Sequence, residues 1–116
     1  MDKERRKQLV GEYKKIKIMA GVVTITNTKN GKVYVRSVSD LKNIQMRICM
    51  ALNAGKYMNL ALQAEWKEHG ADAFRFEVVE EHPAEDMLDV KWEMQKMEKA
   101  WLDRLQPYGE SGYHKL

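Results

Sequence analysis

The chain of 116 residues has the length of one domain, and its 44% apolar and 32% charged residues suit a single modest core in a soluble protein. No run approaches the roughly 20 apolar residues of a membrane helix. The charged N-terminus has no apolar signal core, so we expect a cytoplasmic protein with no membrane partner. Cys49 is the single cysteine, which excludes an internal disulfide and a zinc site built on cysteines.

The net charge of +3 conceals an asymmetry between the two halves of the chain. Residues 1–58 carry 13 Lys and Arg against 4 Asp and Glu, a balance of +9, and residues 59–116 carry 7 against 13, a balance of −6. A basic half can meet a polyanion, since phosphate contacts supply most non-specific affinity for nucleic acid. The alternative is that the two halves pair with each other or that the charges solvate helix faces.

The first predicted element is a basic amphipathic helix over residues 3–18. Leu9, Tyr13 and Ile16 fall at helical spacing among lysines and arginines. Such a helix can dock its apolar side on the core, and its basic side can contact phosphates.

A β-hairpin is predicted next, over residues 21–36. Two runs rich in β-branched residues, 21–26 and 33–35, flank Asn30-Gly31. This dipeptide readily takes positive φ at both central turn positions, which favours a two-residue turn.

Two helices are predicted to follow the hairpin. Ser39 or Asp40 is the expected N-cap of the first, which runs to about Asn53. Its apolar residues recur at steps of 3, 4 and 4 on one face: Leu41, Ile44, Ile48 and Leu52. Asn59 is the expected N-cap of the second helix, and Gly70 closes it.

The last predicted elements are a strand over 73–79 and a long helix over 84–105, with Pro83 in the first helical turn. The whole order is helix, strand, strand, helix, helix, strand, helix. It predicts an α/β (α+β) fold in which helices flank a small, three-stranded, mainly antiparallel sheet. We expect a single domain over 1–116, with the N-terminal helix in 1–19 and the core in 20–114.

Two residues stand out as candidates for chemistry. Glu98 lies beside the apolar stripe of the last helix, where a carboxylate should be paired, hydrogen-bonded or bound to a metal. A salt bridge to Lys91, or a position leaning into water, are the structural alternatives. Tyr34 is either a packed strand aromatic or a phenol in a cleft that orients or deprotonates a water.

With these residues assembled, the chain resembles the GIY-YIG nuclease family over about residues 20–114. The likeness consists of short motifs that occur in the same order as in the family. They are the glycine-initiated strand, the Asn30-Gly31-Lys32 turn, Tyr34-Val35 in the YIG position, the helix after Asn59 with Trp66, the block 70–81, Glu98 followed by Trp101-Leu102, Leu105-Gln106-Pro107, and Gly112-Tyr113. The resemblance implies the family's fold and its metal-dependent cleavage of phosphodiester bonds.

The resemblance also assigns roles to individual residues. The family holds one divalent metal through a glutamate on the last helix, which falls on Glu98 and implies Mg²⁺ or Mn²⁺ as cofactor. The tyrosine of the YIG motif, which positions or activates the attacking water, falls on Tyr34. A metal there polarises the phosphate and stabilises the charge that develops as the bond breaks.

The chain departs from the family pattern at five positions. The GIY tyrosine is Val23, the YIG glycine is Arg36, and the closing asparagine is His114. The helix arginine that contacts the scissile phosphate falls on Ile44, and the position one turn later, often histidine, falls on Ile48. An apolar pair cannot stabilise a developing phosphate charge.

Three functions follow as hypotheses. The favoured one is a binding module of nuclease descent that no longer cuts. It holds nucleic acid, with DNA favoured, on a basic face, and its predicted contact residues are Lys29, Lys32, Arg36, Lys42, Arg47 and His114. The second is an altered nuclease, in which Arg36 joins Tyr34 and Glu98 as a catalytic residue. The third is a protein-interaction domain that offers an apolar patch around Ile44 and Ile48 to a partner.

Overall fold

A computed structural model describes residues 17–115 of the chain. The predicted helix over 3–18 lies outside the described residues, apart from Lys17 and Ile18, which lead into the first strand. None of the helices within 17–115 is both long and apolar enough to cross a membrane.

Three strands form one antiparallel sheet. They are β1 (Met19–Asn27), β2 (Val33–Val38) and β3 (Phe74–Pro83), in the order β2-β1-β3. The predicted small antiparallel sheet is confirmed, and the first strand is its centre.

The central strand is buried without interruption from Ala20 to Ile25 because elements cover both of its faces. Next to a bulge in the pairing of β1 with β3, the backbone of β3 approaches Gly21 closely. A Cβ on Gly21 would lie 2.1 Å from the carbonyl oxygen of Glu80, so this position needs glycine.

The predicted two-residue turn between β1 and β2 is wrong. The connection spans residues 28–32, and its ends are tied by a hydrogen bond from the backbone N–H of Asn27 to the carbonyl of Lys32, 2.9 Å. Gly31 has a positive φ of 77°, whereas Asn30 does not, and a type I′ turn needs positive φ at both positions.

Two helices follow the hairpin, α1 (Ile44–Asn53) and α2 (Leu60–His69). The predicted N-cap of α2 is confirmed, because the Asn59 side chain accepts from the backbone N–H of Leu62. The predicted start of α1 at Ser39 or Asp40 is wrong. Asp40 instead accepts from the backbone N–H of Lys42 in a local turn, and the helix begins only at Ile44.

The last helix, α3 (Val90–Leu105), begins six residues later than the expected position 84. Pro83 is the final residue of β3 and not part of a helical turn, because the strand continues along β1 as far as Met19. A short 3₁₀ turn, Ala84–Asp86, follows it. Asp89 then caps α3 by accepting from the backbone N–H of Trp92, 3.0 Å.

The core has two parts, one on each face of the sheet. On the first face, α1 and α2 pack on Val23, Ile25 and Tyr34. On the second face, Met97 of α3 packs on Val22 and Val35. Alternate residues of one strand therefore meet different helices, as the period of a strand requires.

The C-terminal segment covers the outer edge of β2. The backbone N–H of Tyr113 donates to the carbonyl of Val33, 3.2 Å, and the backbone N–H of Val35 donates to Nε2 of His114, 2.8 Å. A Cβ on Gly112 would lie 2.2 Å from the carbonyl oxygen of Pro107, so the segment can lie this close only with glycine there. This edge strand is thereby protected from pairing with other chains.

Candidate nucleic-acid interface

Two tyrosines and an arginine form a chain of hydrogen bonds on the α1–α2 face of the sheet. Nη1 of Arg36 donates to the hydroxyl of Tyr57, 3.0 Å, and that hydroxyl donates to the hydroxyl of Tyr34, 3.2 Å. The two phenol rings meet edge to face, with centroids 5.7 Å apart, and each tyrosine is only 5% exposed. Arg36 thus orients Tyr57, and through Tyr57 it orients Tyr34, the tyrosine that the sequence analysis identified as a candidate.

His114 covers the other side of Tyr34. Its imidazole stacks on the phenol ring with centroids 5.1 Å apart and planes within 5°. Because Nε2 accepts from Val35, that nitrogen carries no proton. Burial lowers the pKa of His114. The ring is therefore neutral at pH 7 and positions Tyr34, while its contact with nucleic acid stays a prediction.

Burial raises the pKa of Tyr34 strongly, and the hydrogen bond with Tyr57 adds to the shift. The nearby charge of Glu98 also raises it, whereas Arg36 acts in the opposite direction with a smaller effect than Tyr57. A phenol in this environment stays protonated near neutral pH, so it can orient a ligand as a hydrogen-bond donor but is a poor base.

Arg36 also opens onto a groove that we call the cationic cleft, of about 290 Å³. Three cations from three different parts of the chain line it: Arg36 of β2, Arg47 of α1 and Lys56 of the α1–α2 connection. The other lining residues are apolar or aromatic: Ile44, Ile48, Ala51, Tyr57 and Met58. No carboxylate lines the cleft among the residues that the structure describes.

The guanidinium of Arg47 is held in place by backbone oxygens. Its Nη2 donates to the carbonyl of Asp40, 2.6 Å, and to the carbonyl of Lys42, 3.0 Å. Within residues 17–115, Arg36, Arg47 and Lys56 form no ion pair with a carboxylate. Their charges are therefore available to an anion that enters the cleft.

Ile44 and Ile48 do not themselves form an exposed apolar patch. Ile44 is 9% exposed and Ile48 is 2% exposed, and both belong to the core under α1. Their helical spacing puts them on the inner face of α1, where they form the base of the cationic cleft. The hypothesis of a protein partner at these two residues is therefore wrong.

Glu98 lies on the opposite face of the sheet from Tyr34 but close to the same edge strand. Its Oε2 accepts from the hydroxyl of Ser37, 3.0 Å. In the described part of the chain, Glu98 forms no salt bridge with Lys91, so hydrogen bonding is the alternative that the structure supports. Ser37 also lines a second cleft, which contains Arg36 and Arg47 and adjoins the first.

A single Mg²⁺ or Mn²⁺ is compatible with these groups. The carboxylate of Glu98 and the hydroxyl of Ser37 are hard oxygen ligands, and Mg²⁺ is commonly bound by one or two carboxylates plus waters and substrate phosphates. The described residues contain no group of three or more His, Cys, Asp or Glu that can hold a metal. A metal at Glu98 would therefore depend on waters and phosphate oxygens for most of its ligands.

The remaining basic residues of the expected face lie in two other places. Lys29 and Lys32 belong to the β1–β2 connection, where Nζ of Lys32 is 3.3 Å from Oε2 of Glu65. Lys42 is exposed immediately before α1. The structure thus brings together Arg36 and Arg47 and leaves the charge of Lys32 already paired. The contacts of Lys29, Lys32 and Lys42 with nucleic acid stay predictions.

Tyr57 and Lys56 belong to this site, and the sequence patterns did not select them. They lie in the connection between α1 and α2, where no helical or strand period applies. The available signal was the shortness of that connection, which contains Gly55 and ends at the N-cap Asn59. A tyrosine in so short a link between two core helices has to pack near their ends.

No family model matches the chain. Intron-associated endonuclease 1 of Enterobacteria phage T4 is 34% identical over 86 residues, which are 74% of this chain and 33% of that protein. The chain spans about a third of the length of that curated relative. Its fold matches the catalytic domain of the homing endonuclease I-TevI with a TM-score of 0.67 and 30% identity, over 81% of this chain and 95% of that one. A mutant of the same catalytic domain matches with a TM-score of 0.69 and 28% identity, over 84% of this chain and 93% of the mutant domain.

Proposed function

Because the chain belongs to the GIY-YIG nuclease family, we propose that it is a DNA-binding domain of nuclease descent whose metal-dependent cleavage is lost or strongly reduced. The observation that carries this proposal is the cationic cleft, in which Arg36 and Arg47 carry charge without a carboxylate partner among the described residues. We infer that a DNA phosphate lies between them, with Lys56 as a third contact. Charge-assisted hydrogen bonds from guanidinium groups to phosphate are strong and directional.

The loss of cleavage is inferred from the groups that surround Tyr34. The positions where the family carries an arginine and often a histidine are Ile44 and Ile48, which are buried under the cleft. Removing one electrostatic donor commonly lowers the rate by about 10²–10³, and two are missing here. The raised pKa of Tyr34 also argues against a phenolate base.

Glu98 and Ser37 are the residues that would hold the metal. Bound there, Mg²⁺ or Mn²⁺ would polarise a phosphate oxygen and lower the pKa of a coordinated water. Tyr34 would donate a hydrogen bond to a phosphate or water, and His114 would keep its ring in place. Arg36 would neutralise charge on the phosphate.

One observation favours an altered nuclease as the second candidate. Arg36 lines both adjoining clefts and is hydrogen-bonded through Tyr57 to Tyr34. Its guanidinium can therefore replace, from the strand, the arginine that the helix lacks. In this case Arg36, Tyr34 and Glu98 would be catalytic together.

The test combines binding and cleavage on the same DNA. Arg36→Ala and Arg47→Ala should each weaken binding about tenfold, as expected for a lost charge-assisted phosphate contact. Lys99→Ala, which removes an exposed lysine of α3 outside the cleft, serves as the control and should bind as the wild type does.

Cleavage is measured with plasmid and branched DNA in Mn²⁺. We expect no cutting above the level of Glu98→Ala. Cutting by the wild type that disappears in Glu98→Ala establishes the altered nuclease, and equal binding by all the arginine variants contradicts the cleft as the DNA site.

A further inference from the structure

The cationic cleft has apolar surface that a phosphate contact does not need, because its base and one wall are apolar. Ile44 and Ile48 form the base, and Met58 stands at the mouth with 71% of its surface exposed. The backbone of a duplex requires cations and hydrogen-bond donors but no apolar wall. We propose that the cleft binds one unpaired nucleotide of a DNA strand, with its base against Met58 and its flanking phosphates on the cations. This inference rests on the proposed function.

The size of the cleft agrees with a single base. Its volume of about 290 Å³ is near the lower end, about 300 Å³, of pockets that bind small molecules. A base that is stacked and paired inside a duplex presents only its edges, whereas an unpaired base exposes an apolar face. A concave surface of this size therefore suits a base that has left the helix.

The cations are arranged to hold a strand on more than one side of such a base. Arg36 comes from the sheet edge, Arg47 from the first turn of α1, and Lys56 from beyond its C-terminus. Both guanidinium groups are oriented in advance, Arg36 by Tyr57 and Arg47 by two backbone carbonyls. Planar guanidinium groups also stack on unpaired bases.

Met58 is the residue that distinguishes this proposal from phosphate binding alone. Its side chain is flexible and polarisable, so it adapts to any of the four bases. It lies next to Lys56 and Tyr57 in the lining of the cleft, and 71% of its surface is exposed and therefore accessible to a ligand. A base placed against it would cover that surface.

The experiment measures the affinity of the full chain for three DNA probes of one sequence at fixed salt. They are a perfect duplex, a duplex with one unpaired nucleotide, and the same bulged duplex in which the unpaired nucleotide lacks its base. We expect the bulged duplex to bind about tenfold tighter than the other two, the value of one base contact. The bulge without a base controls for the flexibility of bulged DNA.

The variants locate the base contact. Met58→Ala should lose the preference for the bulged duplex and keep the affinity for perfect duplex. Met46→Ala, which truncates an exposed methionine of α1 outside the cleft, should keep the preference.

Equal affinity for the three probes overturns this inference and leaves the proposed DNA binding intact. A preference that survives Met58→Ala overturns it as well, because the base is then bound elsewhere. Absence of binding to every probe removes the proposed function together with this inference.

Discussion

Val23 and Arg36 are directly paired residues of β1 and β2. The resemblance described in the sequence analysis predicts a tyrosine and a glycine at these positions. Their side chains lie on the α1–α2 face, where Arg36 now reaches the hydroxyl of Tyr57. The guanidinium of Arg36 therefore lies beside Val23 on this face of the sheet.

Because of His114, the free energy of unfolding should depend on pH at values above those at which carboxylates titrate. Its pKa in the folded chain lies below the ordinary 6.5, so the unfolded chain binds this proton more readily. Stability is then fully present above about pH 7 and falls as the pH drops through 6.5 towards the lowered value. Protonation would also remove the acceptor that Val35 uses.

Urea unfolding of the wild type and His114→Gln, at about pH 7.5 and pH 5.5, measures this effect. Glutamine is neutral at both values, so the variant should lose less stability on acidification than the wild type does. An equal loss in the two proteins contradicts the assignment of the proton to His114.

At the level of elements, Glu65 of α2 ties together the connection between β1 and β2 and the C-terminal segment. Its Oε1 accepts from the side chains of Asn27, Asn30 and Tyr113, and its Oε2 lies 3.3 Å from Nζ of Lys32. Burial alone would raise the pKa of Glu65, but the hydrogen bonds and the charge of Lys32 hold it below its ordinary value. This carboxylate explains why residues 28–32 form a longer connection than the predicted turn.

Glu65→Ala should lower the free energy of unfolding by about 2–3 kcal/mol, because it leaves the fully buried amide of Asn27 without an acceptor. Glu68→Ala, on the exposed side of the same helix, should change it by less than about 0.5 kcal/mol. Urea unfolding at pH 7 gives both values. Similar values for the two variants would show that the network around Glu65 adds no stability.

At the scale of the molecule, two clefts on opposite faces of the sheet differ in charge among the described residues. The cationic cleft lies on the α1 side, whereas a cleft between β3 and α3 is lined by Glu80, Asp86 and Glu93 together with His82 and Lys96. A polyanion is attracted to one side and repelled from the other, which orients its approach. Within residues 17–115, the cations of the first cleft come from the basic half of the sequence and the carboxylates of the second come from the acidic half.

We expect both faces to unfold together as one domain, because they share the three strands. Trp66 reports on the α1–α2 face and Trp101 on the α3 face. In a Trp92→Phe background, Trp66→Phe and Trp101→Phe each leave one reporter. In each variant, fluorescence and far-UV circular dichroism should give the same urea midpoint. Two separate midpoints within one variant would mean that the faces unfold independently.

The sequence by itself determined the sheet, the three described helices and the family, since these depend on local periods, caps and the order of short motifs. The repeat of Ile44, Ile48 and Leu52 predicted the inner face of α1, and Asn59 correctly predicted the start of α2. Boundaries were less predictable where a tertiary contact competes with a local signal. Pro83 continues β3 because β1 extends beside it, and Asn30 is held by Glu65, far away in sequence.

Only the tertiary structure decided what surrounds Tyr34. Periodicity gives no information on a connection such as 54–59, so Tyr57, Lys56 and Met58 entered the site only through the packing of α1 against α2. The same packing buried Ile44 and Ile48 and left Arg36 beside Arg47. Local preferences determine the elements of this chain, but residues distant in sequence meet only when those elements pack, and the cationic cleft consists of such residues.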